Sequence, residues 1–284
     1  MSNMQIINTI IEVNDHLDAV REKGLSIGFV PTMGALHEGH LSLIREARKE
    51  NDFVVCSIFV NPEQFNNKSD LENYPRNIEA DVDMLNDAKC DLLFFPSELE
   101  MQPKIKTESF DFGGLEKVME GKFRPGHFNG VATIVKVLFE IIEPQRAYFG
   151  MKDYQQVVII HKMTKDSKLP VEIIPCPTVR EEDGLAMSSR NQLLSKSDRK
   201  QAATIFKVLK MIKIHSGFST INEIKEYVES QFRKSKNAKL EYFEIVDMYS
   251  LKPLKAWAES NNVIACTAVY IGDVRLIDNI ILFS

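Results

Sequence analysis

No apolar run in the 284-residue sequence approaches the ~20 residues that a bilayer-spanning helix needs. The N-terminus, MSNMQIINTIIEVNDHL, lacks the basic region of a signal peptide and sets acids and asparagines into its apolar pattern. Cysteine is scarce and scattered. Cys56, Cys90, Cys176 and Cys266 form no CxxC pair and no cluster, so neither a dithiol motif nor a thiolate metal knuckle is indicated. Cys56 and Cys266 lie inside FVVCSIFV and VIACTAVYI, where cysteine serves as a small hydrophobe. Disulfides stay open on sequence alone, but a reduced, cytoplasmic protein is expected. An excess of positive charge is lacking too. The 35 Lys and Arg are outnumbered by 40 Asp and Glu, for a net charge of −5, which argues against a generic nucleic-acid or anionic-membrane surface while allowing a local basic pocket. There are no repeats and no low-complexity tract, and the basic stretch FRKSKNAK (232–239) reads as a solvated loop.

What is present is ordinary for a soluble globular chain: 44% hydrophobic and 26% charged residues, enough for one large or two modest domains. LSIGFV (25–30), FVVCSIFV (53–60) and DLLFF (91–95) are compact apolar runs, stopped by Pro31, Asn61-Pro62 and Pro96. Between them HLSLIREARKEND carries Leu41, Ile44 and Ala47 on one helical face, and IEADVDMLNDAKC (78–90) is helical in pattern. FNGVATIVKVLFEII (128–142) is a further helix, and RAYFG, QQVVIIHKM and VEIIPC continue the alternation to about residue 176. Buried strands without alternation, separated by amphipathic helices, predict a parallel sheet covered on both faces. After PTVREEDGLAMSSRN (177–191) the pattern changes to an amphipathic helix, ATIFKVLKMIKIHSG, and longer strands at 242–251 and 263–280, the latter folded at Gly272-Asp273. The reading is therefore an α/β domain over 1–176 and a smaller α+β domain over 177–284.

Ligands of open parallel sheets bind at the carboxyl ends of strands. Four unusual segments stand at such ends: PTMGALHEGH, NPEQF, GMKDYQQ and PTVREEDGLAMSSRN. In the first, Gly34 and Gly39 let backbone approach a ligand, and a following helix N-terminus suits a phosphate. His37 and His40 can donate to phosphate oxygens as charge builds there. A helical zinc site fits poorly, because its histidines stand four apart and these stand three apart. The segment alone leaves a phosphate site and a plain strand-to-helix turn equally open. Lys152 is a point charge suited to polyphosphate, and Asp153 can hold a ribose hydroxyl or a metal, although a Lys-Asp pair in a loop is commonly just solvated. Ser188, Ser189 and Arg190 can close over phosphates or form an ordinary helix cap. Asn61, Gln64 and Gln156 are neutral amides able to read hydroxyls or a carboxylate, or else turn and surface residues. Arg124 and His127, in KFRPGHFNG, offer another anion contact or a capped loop.

Together, FVPTMGALHEGHLSLI, IFVNPEQF, YPRN, GKFRPGHFNGVATIV, AYFGMKDYQQ and PTVREEDGLAMSSRN resemble the pantoate–β-alanine ligase (pantothenate synthetase) family, in the family's order from residue 29 to 191. HEGH resembles the HxGH motif of adenylyl-transferring Rossmann-like proteins. The resemblance implies a Rossmann-like N-terminal domain, a smaller C-terminal domain acting as a partial lid, and a cytoplasmic homodimer. It implies ATP-dependent condensation of pantoate with β-alanine through pantoyl adenylate, releasing pyrophosphate and AMP, with no nucleic-acid or membrane partner. It also implies His40 as catalytic acid, with His37 and Lys152 on the phosphates. Met33, Gly34, Gly150, Met151, Asp153, Val179, Met187, Ser188, Ser189 and Arg190 fall at nucleotide-binding positions. Gln64 and Gln156, with Met33 and Asn61 assisting, fall at the pantoate and β-alanine positions. Mg²⁺ is expected with ATP, held chiefly by phosphates, with Asp81 as the protein contributor. Met151 stands where the family often has Glu, and Asn73 where Asp is frequent.

Overall fold

The structure, a computed structural model, describes residues 4–65, 71–72, 74–106 and 108–284; Asn73 lies outside the described residues. The chain forms two compact units. One comprises Met1–Gly113, Arg124–Met151 and Gln156–Pro177, the other Gly114–Phe123, Lys152–Gln155 and Thr178–Ser284.

The first unit is built on a six-stranded sheet of β1 (Gln5–Ile7), β2 (Ile27–Thr32), β3 (Phe53–Ile58), β4 (Leu92–Phe94), β5 (Arg146–Gly150) and β6 (Glu172–Cys176). All its pairings are parallel, in the order β1-β4-β3-β2-β5-β6. From β2 the chain builds outward through β3 and β4, then crosses to β5 and β6. The point where the order reverses therefore lies between β2 and β5, the place where such sheets open a crevice for ligands.

Helices α1 (Ile10–Glu22), α2 (Glu38–Glu50), α3 (Ile78–Asp87), α4 (His127–Ile142) and α5 (Tyr154–Asp166) connect the strands. Side chains on successive strand residues point to opposite faces. Phe29 meets Phe139 of α4 edge-on, at 6.3 Å between centroids, while Val30 packs in a cluster with Ile44 and Ala47 of α2. Both faces are covered, as the unalternating strands require. Helix α1 starts because the Thr9 side chain accepts the Glu12 N–H, and it buries Ile10, Val13, Leu17 and Val20. Helix α4 is buried on nearly every side, not along one stripe.

The second unit has an antiparallel sheet of β7 (Ala238–Asp247), β8 (Val263–Ile271) and β9 (Val274–Phe283), packed with α6 (Thr204–His215) and α7 (Ile221–Arg233) around a shared apolar cluster. The strand expected at 242–251 is displaced towards the N-terminus. It ends at Asp247 because that side chain accepts the Tyr249 and Ser250 N–H groups and turns the chain. The stretch at 232–239, read as a loop, holds the buried Phe232 at the end of α7 and the start of β7.

A continuous boundary at 176/177 is corrected by two earlier segments that pack with the C-terminal sheet. The Arg275 guanidinium donates to both Glu120 oxygens at 2.8 and 2.7 Å and to Glu241 at 2.9 Å, and the Tyr242 hydroxyl donates to Glu120 at 2.9 Å. Gln155 donates to the carbonyls of Leu115 and Val118 and accepts the Glu120 N–H. Removing one member of such a buried charged network costs about 3–5 kcal/mol, and no local sequence pattern announces partners 155 residues apart.

Candidate functional site

At the end of β2 the chain turns through two consecutive left-handed residues, Gly34 (φ 79°) and Ala35 (φ 51°). Left-handed backbone costs a non-glycine residue about 1–2 kcal/mol, so the turn needs an anchor. Asp81 of α3 supplies it, accepting the N–H of Ala35 at 2.9 Å and of Leu36 at 2.7 Å. The Asp81 side chain is only 2% exposed. Burial raises its carboxyl pKa above the ordinary range, and the two N–H donors oppose that rise. A Cβ on Gly34 would stand 3.0 Å from an Asp81 oxygen, so glycine also lets the loop sit on its anchor.

The loop delivers the chain into α2 with His37 as N-cap in extended backbone. The His37 Nδ1 accepts the Gly39 N–H at 3.1 Å, and the His37 N–H donates to His40 Nδ1 at 3.3 Å. The rings lie 4.1 Å apart, centroid to centroid. Since each Nδ1 acts as acceptor, this geometry assigns the imidazole proton to Nε2 in both residues. Two ring N–H donors then belong to one helix N-terminus, a setting favourable to anions. Glu38, between them, forms an ion pair with Arg45 along α2.

The Asn61–Gln64 turn follows β3. Asn61 caps it, accepting the Glu63 N–H and donating to the Gly130 carbonyl at 3.1 Å, so its amide is engaged at both ends. The turn presses on α4 at Gly130, where a Cβ would come within 2.7 Å of the Glu63 oxygen. His127 Nδ1 donates to the Gln64 carbonyl at 2.8 Å, and Arg124 reaches the same oxygen at 3.4 Å. These two residues, candidate anion contacts from sequence, thus hold the backbone of Gln64. The Gln64 side chain points at the Met33 sulfur. A cavity of about 180 Å³ opens at the carboxyl ends of β2, β3 and β4, lined in part by Met33, Gly34, Phe59, Arg76, Asp81 and Phe95. Gly150 closes β5, and Gln156 lies in the first turn of α5. The adjacent Gln155 takes the purely structural role described above.

The residues do not fit a protein-held Mg²⁺ cage. Both Asp81 oxygens are committed to backbone amides, and the described residues contain no group of three or more His, Cys, Asp or Glu able to hold a metal. Asp81 is an anchor for the loop. No thiol is poised for covalent chemistry either. The four cysteines are free and buried, and burial pushes Cys90 up to about 12 and Cys176 up to about 11.

Within the second unit, residues 179–187 form a tight hairpin. The Met187 N–H donates to the Val179 carbonyl at 3.0 Å, and Arg180 bridges Ala186. Val179 and Met187, in a segment where no strand pairing was expected, are thereby brought together. Ser188 then caps a short 3-10 helix, its hydroxyl accepting the Arg190 N–H at 3.3 Å, and Ser189 is buried. Lys152 lies just beyond the end of β5; its Nζ lies 3.6 Å from Asp153, and its carbonyl accepts from Asn279 at 2.9 Å.

No sequence motif marks Arg180, Asp278 and Asn279 as a unit. The guanidinium of Arg180 grips Asp278 through two bonds of 2.7 and 2.9 Å. Burial raises the Asp278 carboxyl pKa, with Arg180 and the Asn279 N–H opposing. The available signal was the Asp-Asn pair inside an apolar strand, where both types are depleted.

A family model described as pantoate-beta-alanine ligase matches residues 5–281. Pantothenate synthetase of Bacteroides thetaiotaomicron is 47% identical over 277 residues, covering 98% of each chain. The crystal structure of pantothenate synthetase from Thermus thermophilus superposes with a TM-score of 0.93 at 42% identity, covering 99% of this chain and 100% of that one. A pantoate-beta-alanine ligase from Francisella tularensis, described as complexed with beta-gamma ATP and beta-alanine, gives a TM-score of 0.82 at 39% identity over 98% of each chain.

Proposed function

The chain belongs to the pantoate–β-alanine ligase family, and from that membership we propose how its residues carry out the reaction. It is an ATP-dependent ligase that joins pantoate to β-alanine and forms pantothenate. A carboxylate is a poor electrophile, so it must first be activated. A pantoate oxygen attacks the α-phosphorus of ATP, the bond from that phosphorus to the bridging oxygen breaks, and pyrophosphate leaves. The β-alanine amine then attacks the acyl carbon of pantoyl adenylate. The C–N bond forms, the C–O bond to phosphate breaks, and AMP departs.

His40 and His37 donate from Nε2 to the phosphates, stabilising charge that develops as pyrophosphate separates. Lys152 neutralises further phosphate charge, while Gly150, Met151, Asp153, Val179 and Met187 to Arg190 contact the nucleotide. Gln64 and Gln156, with Met33, orient pantoate, Asn61 assists by holding the turn that carries Gln64, and Gln64 also receives β-alanine. Mg²⁺ arrives with ATP, held by its phosphates. The same reading has the enzyme act as a cytoplasmic homodimer, which sedimentation would test for the assembly.

One observation carries these assignments. The reciprocal cap fixes both imidazoles with Nδ1 turned to backbone N–H groups, at a helix N-terminus beside the point where strand order reverses. The test is product analysis with pantoate and MgATP, with and without β-alanine. The expected result is AMP and pantothenate in equal amounts only when β-alanine is present. Pyrophosphate release with no amide product would favour a nucleotidyltransferase that stops at the adenylylated acid.

A further inference from the structure

A second set of residues stands behind the nucleotide-directed ones. On β9, Asp278 is 3% exposed. One of its faces takes the Arg180 guanidinium in a two-bond fork, and one oxygen also accepts the Asn279 N–H at 2.8 Å. Arg180 is fixed on every side: it donates to the Gly184 carbonyl at 3.1 Å and to the Asn279 carbonyl at 3.3 Å, and it stacks on Phe206 with 3.7 Å to the ring centroid. Asn279 turns its side-chain amide the other way, donating to the Lys152 carbonyl at 2.9 Å. One dipeptide of β9 therefore holds both the Val179–Met187 hairpin and the backbone of Lys152, segments well separated in sequence.

A buried ion pair is a weak device for stability, because apolar residues of the same volume would often do as well. A planar fork does fix direction, and a guanidinium held by a carboxylate, two carbonyls and a ring has a single orientation. We propose that Asp278 is a positioning residue for the adenylation step, setting the hairpin through Arg180 and the Lys152 backbone through Asn279. The inference rests on the assignment of Lys152 and the hairpin to ATP.

Steady-state kinetics and thermal melts of the full chain test it, with Asp278→Asn, Asn279→Ala, the double variant Arg180→Gln with Asp278→Asn, and Lys152→Ala. For Asp278→Asn the expected result is a KM for ATP raised about tenfold or more, the scale of one lost charge-assisted hydrogen bond, with the KM for β-alanine within about twofold. Asn279→Ala, which keeps the ion pair, is expected to raise the KM for ATP while lowering the melting temperature less than Asp278→Asn does. The double variant removes the stranded charge, so it should melt higher than Asp278→Asn yet keep the raised KM for ATP.

An unchanged KM for ATP in Asn279→Ala and in folded Asp278→Asn would overturn the proposal. Equal changes in the ATP and β-alanine constants would overturn it too, as would a double variant that recovers melting temperature and KM together. Should Asp278→Asn not fold, Asn279→Ala decides alone. Lys152→Ala separates the two levels. Lost ATP affinity there, with both β9 variants normal, sinks only the positioning role, whereas no effect there sinks the underlying assignment.

Discussion

His37 donates its backbone N–H to the Nδ1 of His40, while its own Nδ1 accepts the N–H of Gly39. The pair is thus both a helix cap and a tautomer lock. Each neutral ring is expected to carry its proton on Nε2. Long-range ¹H–¹⁵N correlation spectra of histidine-labelled protein would check it: both Nδ1 signals should fall in the unprotonated range, and a protonated Nδ1 in either residue would contradict the assignment.

Capping and charge stabilisation can be separated at His37. Asparagine caps helices well, so His37→Asn should keep stability within about 0.5 kcal/mol while losing the ring donor. Pantoate-dependent pyrophosphate release should fall on the order of 10²-fold, and for His40→Ala on the order of 10²–10³-fold, as when one preorganised donor is removed. An unchanged rate in His40→Ala would remove that residue from the chemistry.

Asp81 anchors the left-handed turn through two amides. Asp81→Ala strands both buried N–H groups and should lower stability by about 2–5 kcal/mol in urea denaturation. Asp81→Asn should lose roughly half of that, because its amide nitrogen must face one donor. The Mg²⁺ concentration giving half-maximal rate should stay the same in Asp81→Asn; a large increase would make Asp81 a metal ligand.

At Gly130 two effects compete. Helix propensity alone would favour Gly130→Ala by about 1 kcal/mol. The 2.7 Å approach to the Glu63 oxygen opposes it, and overpacking of this kind costs about 1–3 kcal/mol. The expected outcome is a destabilised variant with a raised KM for pantoate, since the displaced turn carries Gln64. A more stable variant with normal kinetics would show that the turn has room to give.

The sequence made β2, β3 and β5 legible as apolar runs, but Pro31 does not stop β2 as expected: the strand continues through Pro31 and Thr32, paired in register with Ser57 and Ile58 of β3. The sequence hid β1, only three residues long and mostly exposed, whose strand state comes from pairing with β4. The buried stripe of α1, Ile10, Val13, Leu17 and Val20, is masked in the sequence by the acids and the asparagine between its members. At the candidate site, the residues proposed for the chemistry are legible by type and by strand ends, whereas their supports are not. The two backbone amides that Asp81 accepts come from a loop 45 and 46 residues away, and no local pattern announces them. Arg180 and Asp278 stand 98 residues apart, and only tertiary structure pairs them.

The central claim is that pantoate is activated on the α-phosphate of ATP, beside His37 and His40. The most direct measurement uses pantoate labelled with ¹⁸O in its carboxylate, together with MgATP and β-alanine, and mass spectrometry of the products. The account requires one ¹⁸O in AMP per pantothenate formed and none in pyrophosphate. Unlabelled AMP, or ¹⁸O in inorganic phosphate, would contradict it.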